Sequence, residues 1–316
     1  AAEAGAGAAT ARGEGLGAEA FRAAYPEEYL RRFMSRGLRP DGRPLGGGRP
    51  ASVHPGAARG ADASALVRLG GTMVLAGACL ELTAAADANV GADGAGVRAG
   101  AGEALRVAVE LAPLRPQELR GARAAQAEGA LEGRLSGVLG GGTVFDLGQL
   151  AALPGVARWA VALTVYVLSD DGSVLDACLL AAVAALTDLR LPAVEVSEGT
   201  SLEDVKAAFS KGGRPGFGEP ERRIKLNRVP LALTFGAFGE HLLADPTAEE
   251  EALASSLTTV VTDGEGELVG TFRAAIGGRV GGGGEAGGLD TATLQGFVQA
   301  ARKRHVELLA VLGGTK

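Results

Sequence analysis

Apolar and polar positions alternate along residues 64–69 (SALVRL), the two-residue period of a half-buried strand, and Thr72–Leu82 reads as the return strand. Gly70-Gly71 between them is a two-residue hairpin signal. Glu103–Leu111 and Trp159–Leu168 read as further strands. So do Val229–Phe238 with His241–Ala244, and Leu257–Thr262 with Leu268–Phe272, the last pair closing on Asp263-Gly-Glu-Gly266. Helical spacing marks four other stretches. Pro26 suits a first helical position, Tyr29, Leu30 and Phe33 form a stripe, and Gly37 suits a stop. Residues 116–139 carry Leu119, Ala122, Leu131, Leu135 and Val138 at helical intervals. Leu175–Leu186 is apolar almost all round, which predicts a centrally buried helix. Leu289–Leu312 predicts a terminal helix, and 39–43 and 170–173 carry the Pro, Asp and Gly of turns.

Strands followed by a helix occur twice in this pattern. It predicts an α+β chain of two similar β/α halves, about 25–150 and 151–316, with mixed sheets packed on helices. Residues 1–24, rich in Ala and Gly, are expected to form a disordered tail. Residues 83–101 read as a Gly/Ala/Asp loop and 197–222 as an inserted loop.

Composition narrows the chemistry. Aromatics make up 4% of the 316 residues, so the core rests on Ala, Val and Leu. With 31 basic and 37 acidic residues the net charge is −6, and any contact with nucleic acid must come from a local patch. Lysines are few (Lys206, Lys211, Lys225, Lys303 and Lys316), so cationic chemistry falls mainly on arginine. Cys79 and Cys178 lie in apolar runs and are expected to be small buried thiols. No zinc-type spacing joins them to His54, His241 or His305, so neither a metal nor a cofactor is expected. The longest near-uniform apolar run, Ala177–Leu186, is short for a bilayer, and the N-terminal residues lack the order of a secretory signal. A soluble intracellular protein without membrane contact is expected. No phosphate-binding G-x-x-x-x-G-K-[ST] occurs, the glycines near 94–99 miss G-x-G-x-x-G at Ala99, and G-x-S-x-G is absent.

Two clusters remain. Asp245-Pro-Thr-Ala-Glu-Glu-Glu251 follows an expected strand, where carboxylates can serve as catalysts or ligands; on composition it also reads as a turn into a solvated acidic helix start. Arg115, Arg120 and Arg123 form the closest arginine group of residues 98–134. Arg120 and Arg123, three apart, would share a helix face and could grip phosphate, or belong to a salt-bridged surface.

Several segments in order resemble one family. They are Arg39-Pro-Asp-Gly-Arg43, residues 65–77 (ALVRLGGTMVLAG), Asp171-Gly-Ser-Val-Leu-Asp-Ala-Cys178, residues 245–251, and Leu257-Thr-Thr-Val-Val-Thr-Asp-Gly264. Together they resemble the RNase PH superfamily and, within it, the ring subunits of the eukaryotic RNA exosome. Together with the preceding Tyr29-Leu-Arg-Arg-Phe33 helix, these segments are most similar to the ribosomal RNA-processing protein 43 subfamily. The resemblance implies an RNase PH-like fold of two pseudo-symmetric halves and a six-membered ring threaded by RNA. It also implies other RNase PH-like subunits, RNA-binding cap subunits and RNA as partners, and a nuclear, nucleolar and cytoplasmic location. Active relatives use phosphate to cleave RNA from the 3′ end. The resemblance places Leu257 where they carry an Asp, Leu175 where they carry a phosphate-binding Arg, and Glu118 where an Arg is expected, while Arg120 remains. Asp245 has a counterpart in active and inactive members alike. The expectation is a non-catalytic subunit for RNA processing, decay and rRNA maturation, with Arg115, Arg120 and Arg123 contacting RNA. The alternatives are an active phosphorolytic exoribonuclease and a free-standing binding module.

Overall fold

The computed structural model describes residues 19–84, 104–112, 122–140, 142, 144–153, 157–192, 222–275 and 291–314. The first sheet comprises β1 (Ala51–Pro55), β2 (Ala63–Leu69), β3 (Thr72–Ala84), β4 (Leu105–Leu111), β5 (Ala151–Leu153) and β6 (Ala157–Ser169). Its order is β1-β2-β3-β6-β4, with β5 also pairing β6. All pairs are antiparallel except β4 with β6, which run parallel. The hairpin predicted at Gly70-Gly71 is present: Leu69 faces Thr72, and Gly70 takes the positive φ that such a turn needs. Strand alternation is clear in β4, where Leu105, Val107 and Val109 are buried while Arg106, Ala108 and Glu110 are exposed.

The second sheet, β9 (Leu231–Phe238), β10 (His241–Ala244), β11 (Ser256–Thr262) and β12 (Leu268–Ala275), has the antiparallel order β10-β9-β11-β12. A two-residue ribbon, β7 (Arg190–Leu191) with β8 (Arg222–Arg223), precedes it. The helices are α1 (Pro26–Met34), α2 (Ala122–Leu139), α3 (Val174–Asp188), α4 (Ala248–Leu253) and α5 (Thr291–Gly313).

Helix α3 lies centrally, as its uniform apolarity predicts. Every residue from Leu175 to Leu186 is buried, and it packs on β2 and β3 of the first sheet and β9 of the second. The second sheet is covered on both faces, which is why β9 is buried without alternation from Leu231 to Gly236. Ala232 and Val261 join the α3 core, whereas Leu233, Phe235 and Val260 pack with Phe297 and Ala301 of α5. The Phe235 and Phe297 rings stack with centroids 4.3 Å apart. Leu30 and Met34 of α1 pack on Leu243 of β10, so the N-terminal helix belongs spatially to the second sheet.

Three expectations are corrected. The division expected near residue 150 is not where the sheets divide: β6 pairs β3 from Met73 to Ala84 and also pairs β4, so the strand that seemed to restart the pattern closes the first sheet. Residues 19–24, expected in the tail, are helical, and Phe21 packs near Tyr25 and Tyr29. Cys79 is exposed because it falls on the outward phase of β3, while Cys178 is buried in α3. Residues 1–18 and most of the expected loops 83–101 and 197–222 lie outside the described residues.

Leu179 is almost fully buried at the centre of α3. Leu179→Ala is expected to lower unfolding free energy by about 2–5 kcal/mol through lost burial and a residual cavity. Urea denaturation checks this; a change within the noise would mean that α3 is not the packing centre.

Candidate functional site

The link between α1 and β1 carries three arginines across to the segment joining β10 to α4. Gly37, with a φ of 73°, ends α1, and the Pro40-Asp41-Gly42 turn then folds the chain back, with Arg39 N–H bonded to the Arg43 carbonyl at 2.9 Å. Arg39 is buried. Its Nη2 donates to the carbonyls of Leu45 (2.6 Å) and Ala244, and its Nη1 to the Asp245 carbonyl (3.2 Å) and Glu250 Oε2 (3.3 Å). Arg43 Nε donates to Asp41 Oδ2 at 2.6 Å, and its Nη1 reaches the Asp245 carbonyl at 3.2 Å.

Arg49 and Asp245 form the centre. Asp245 Oδ1 accepts from Arg49 Nη2 at 2.6 Å, and Oδ2 accepts from the Arg49 backbone N–H at 2.6 Å; Nε lies 3.1 Å from both oxygens. Arg49 also donates to the carbonyls of Asp171 (2.5 Å) and Gly172 (3.0 Å). Burial alone would push the Asp245 carboxyl up, but the hydrogen bonds and charge of Arg49 hold it below the usual carboxylate range. The fold is shaped around this pair. A Cβ on Gly70 would meet Arg49 Cδ at 2.4 Å, and one on Gly172 (φ 83°) would meet the Pro246 carbonyl oxygen at 2.5 Å. Asp245 and Ser173 themselves adopt positive φ. Ser173 N–H donates to Glu251 Oε1 at 2.7 Å and its Oγ to the Pro246 carbonyl at 3.1 Å.

A second buried polar bridge joins α3 to the second sheet. Asp176 accepts from the Thr234 N–H (2.7 Å) and Oγ1 (2.8 Å), and Thr234 Oγ1 lies 2.8 Å from Thr259 Oγ1. Burial pushes the Asp176 carboxyl up to about 7. Burial likewise pushes Glu251 up to about 7, against the opposing Ser173 N–H bond.

The positions singled out by resemblance flank this bridge. Leu175 precedes Asp176 and is buried. Leu257 shares the face of β11 that carries Thr259, two residues on, and stands opposite Gly236. Neither leucine can hold phosphate or move a proton. The nearby Asp245 has its oxygens engaged by Arg49. The acidic segment is thus not the solvated helix start that composition suggested: Asp245 and Glu250 are buried. Glu250 forms a capping box with Thr247 and meets Arg39. A groove of about 850 Å³ beside it is lined by Tyr29 and Leu30 and rimmed by Glu19, Asp41, Asp171 and Glu249, with Arg22 as the one lining cation among the described residues. That rim disfavours phosphate.

Of the arginines expected to contact RNA, Arg115 and Arg120 lie outside the described residues, as does Glu118. Arg123 falls in the first turn of α2 (Ala122–Leu139), and its side chain is not among those described. The grouping of the three thus falls outside the described residues. Sequence reasoning passed over Arg49, Asp176 and Thr234. Arg49 follows Gly46–Gly48 in an apparent loop, and no local pattern announces a partner 196 residues away. Among the described residues no group of three His, Cys, Asp or Glu could hold a metal ion, and no helix is long and apolar enough to cross a membrane.

A mixed sheet and an antiparallel sheet joined through a buried central helix define an RNase PH-like α+β fold. Models of the 3′ exoribonuclease family match residues 47–192 as domain 1 and 228–303 as domain 2. The chain belongs to this RNase PH family. It is 32% identical over 252 residues to exosome complex component Rrp42 of Sulfurisphaera tokodaii, covering 79% of this chain and 83% of that protein. The Rrp42 component of Saccharolobus solfataricus is 32% identical over 228 residues, covering 72% and 74%. In fold, the chain is similar to an Archaeoglobus fulgidus exosome chain from a structure with RNA bound to the active site (TM-score 0.67, 22% identity, 90% and 96% coverage). It is also similar to rice Rrp46 (TM-score 0.52, 18% identity, 88% and 99% coverage). The relatives carry the Rrp42 name, so the finer likeness to the protein 43 subfamily rests on the sequence segments alone.

Two outcomes follow from the site. Arg49→Met strands a buried carboxylate and should cost about 3–5 kcal/mol, read from the urea midpoint; a loss below about 1 kcal/mol would show the pair to be peripheral. Asp176 binds a proton in the folded chain between its unfolded value near 3.9 and about 7, where the unfolded chain has released it. Its contribution to stability is full below that range and is lost as pH rises to about 7. Asp176→Asn should remove this decline, so wild-type stability minus variant stability falls from pH 4 to 7. Glu251, which shifts the same way, and His305, whose lowered value acts oppositely, cancel in that difference. A flat difference curve would refute the assignment.

Proposed function

We propose that this chain is a non-catalytic subunit of an RNA exosome core ring, helping to form the channel through which RNA reaches processing and decay sites. The observation that carries this reading is the pairing of Leu175 and Leu257 beside a carboxylate, Asp245, already held by Arg49. Phosphorolysis needs cations to hold phosphate and an acid to protonate the leaving oxygen. Family membership and the Rrp42 relatives support the exosome setting. In this reading the partners are RNase PH-like subunits of the catalytic-like branch, RNA-binding cap subunits and RNA. The work includes rRNA maturation in the nucleus and nucleolus, with a cytoplasmic pool. In this reading Arg115, Arg120 and Arg123 are the residues that contact RNA.

The purified full chain, incubated with RNA and inorganic phosphate, is expected to release no nucleoside diphosphates, while the tagged chain co-purifies stoichiometrically with other RNase PH-like subunits. Phosphate-dependent release by the chain alone would overturn the non-catalytic reading in favour of an active exoribonuclease. A homogeneous monomer indifferent to such subunits would overturn the ring.

A further inference from the structure

Apolar groups stay open to solvent in the groove beside α4. Pro26, Pro40 and Ala252 are exposed on it, and Tyr29 and Leu253 are only half-buried. Its volume of about 850 Å³ suits a site that encloses a ligand or an anchoring side chain. Three segments line it: residues 19–24 with α1, the Pro40-Asp41 turn, and α4. They are firmly seated. Leu30 and Leu253, which line the groove, pack with Met34 and Leu243, and buried Arg39 ties the turn to α4 through Glu250. A preformed groove lowers the ordering cost of binding.

The charges around it are layered. Asp41, Asp171 and Glu250 meet Arg43 at 2.6 Å, Arg49 at 3.4 Å and Arg39 at 3.3 Å, and Glu249 meets Arg22. These arginines do not cancel the acids. Arg43 and Arg49 also serve Asp245, and Glu19 is a further carboxylate on the groove, so among the described residues four arginines are shared by six acids. Depth separates the signs as well. The side chains of Arg39, Arg43 and Arg49 are 0%, 14% and 5% exposed, whereas those of Asp41 and Asp171 are each 42% exposed and that of Glu249 69%. An incoming group therefore meets carboxylates with their cations behind them. Arg22 is the exception, reaching Glu249 from the segment before α1. Both partners are exposed, so this pair is weak and exchangeable, and it shows Glu249 accepting a guanidinium from outside α4.

We propose that this groove docks a basic segment of a partner protein, which sets an apolar side chain against Tyr29 and Leu253 and its arginines on Asp41, Asp171 and Glu249. The inference does not depend on the RNA-handling reading above. The acidic rim repels phosphate, so neither RNA nor an anionic membrane suits it. The chain's own charge of −6 disfavours a second copy, and residues 1–18, with Arg12 against Glu3 and Glu14, lack the charge to fill the groove. Apolar contact supplies the affinity, while the charges set approach and specificity.

The test is fluorescence anisotropy of the full chain with a fluorescein-labelled peptide carrying Leu at helical spacing among Arg residues. Binding is expected, and neither a Glu-for-Arg nor a Ser-for-Leu version of the peptide should bind. Tyr29→Ser should weaken binding about tenfold, and Glu19→Gln with Glu249→Gln about fivefold. Ala252→Arg places a cation in the groove from an exposed position and should abolish binding; it keeps the test decisive if urea shows Tyr29→Ser to be unfolded. Glu265→Gln with Glu267→Gln removes the same charge from the exposed β11/β12 turn and should change nothing. Failure of the wild-type chain to bind, or equal losses in the two Glu→Gln pairs, overturns the groove. Displacement of the peptide by oligoadenylate as readily as by unlabelled peptide identifies a nucleic-acid surface and overturns the protein assignment. A concentration-dependent dimer in sedimentation that Ala252→Arg dissolves gives the groove to a second copy and overturns the basic partner.

Discussion

A buried carboxylate must be paired, and in this chain the pairing of Asp245 with Arg49 sets the surrounding geometry. The arginine comes from the link into β1 and the aspartate from the end of β10, with the 170–173 turn closing on the same guanidinium. Three remote segments thereby meet at one charge pair. Gly70 and Gly172 are constrained by it, since a methyl group at either would press on Arg49 or on the backbone beside Pro246. Such a pair need not outperform an apolar replacement of the same volume in net stability. What it does is penalise any arrangement that leaves either charge alone, which fixes how the N-terminal link sits on the second sheet.

The same pairing has a chemical consequence. A carboxylate that accepts three arginine N–H groups, with its proton affinity lowered, is a poor proton shuttle at neutral pH. Asp176 differs: its proton affinity is raised, but it is engaged with Thr234 and buried within the junction of α3 and β9. Asp245 and Asp176 are thus committed to holding elements together. Leucine at 175 and 257 supplies neither an acid nor a phosphate grip, and this is the ground of the proposed non-catalytic reading. The fold itself does not depend on either function, because α3 is held by its apolar surface on both sheets.

Much of the fold was legible because its elements obey local periods. The Gly70-Gly71 hairpin, the uniformly apolar α3 and the β11/β12 hairpin follow from residue spacing alone. The two-residue phase also contained the exposure of Cys79, which the apolar run around it obscured. What was not legible depends on order in space. Nothing local says that β6 enters the first sheet between β3 and β4, so the repeated pattern placed the division some forty residues early. The clamp was hidden for the same reason. Arg39 and Asp245 were visible as parts of motifs, but burial turned them from surface charge into a joint, and Arg49 carried no motif. Resemblance supplied what periodicity could not, by marking 175 and 257 as positions where a leucine has meaning.

A chain with net charge −6 can meet a polyanion only where its charges are separated in space. Screening makes this workable: at physiological salt, exposed charges more than about 8 Å apart act nearly independently. The carboxylates at the groove beside α4 therefore need not cancel cations exposed elsewhere on the surface. Arginines in the Asp245 clamp are buried and contribute little outward field, because their partners neutralise them at contact. The net charge is thus uninformative about nucleic-acid contact, and the count of arginines overstates it. The relevant quantity is the number of cations that are exposed, rigidly held and incompletely matched by acids. By that criterion α1 and the Asp245 clamp count for little, because Arg31, Arg32, Arg39 and Arg49 each meet an acid.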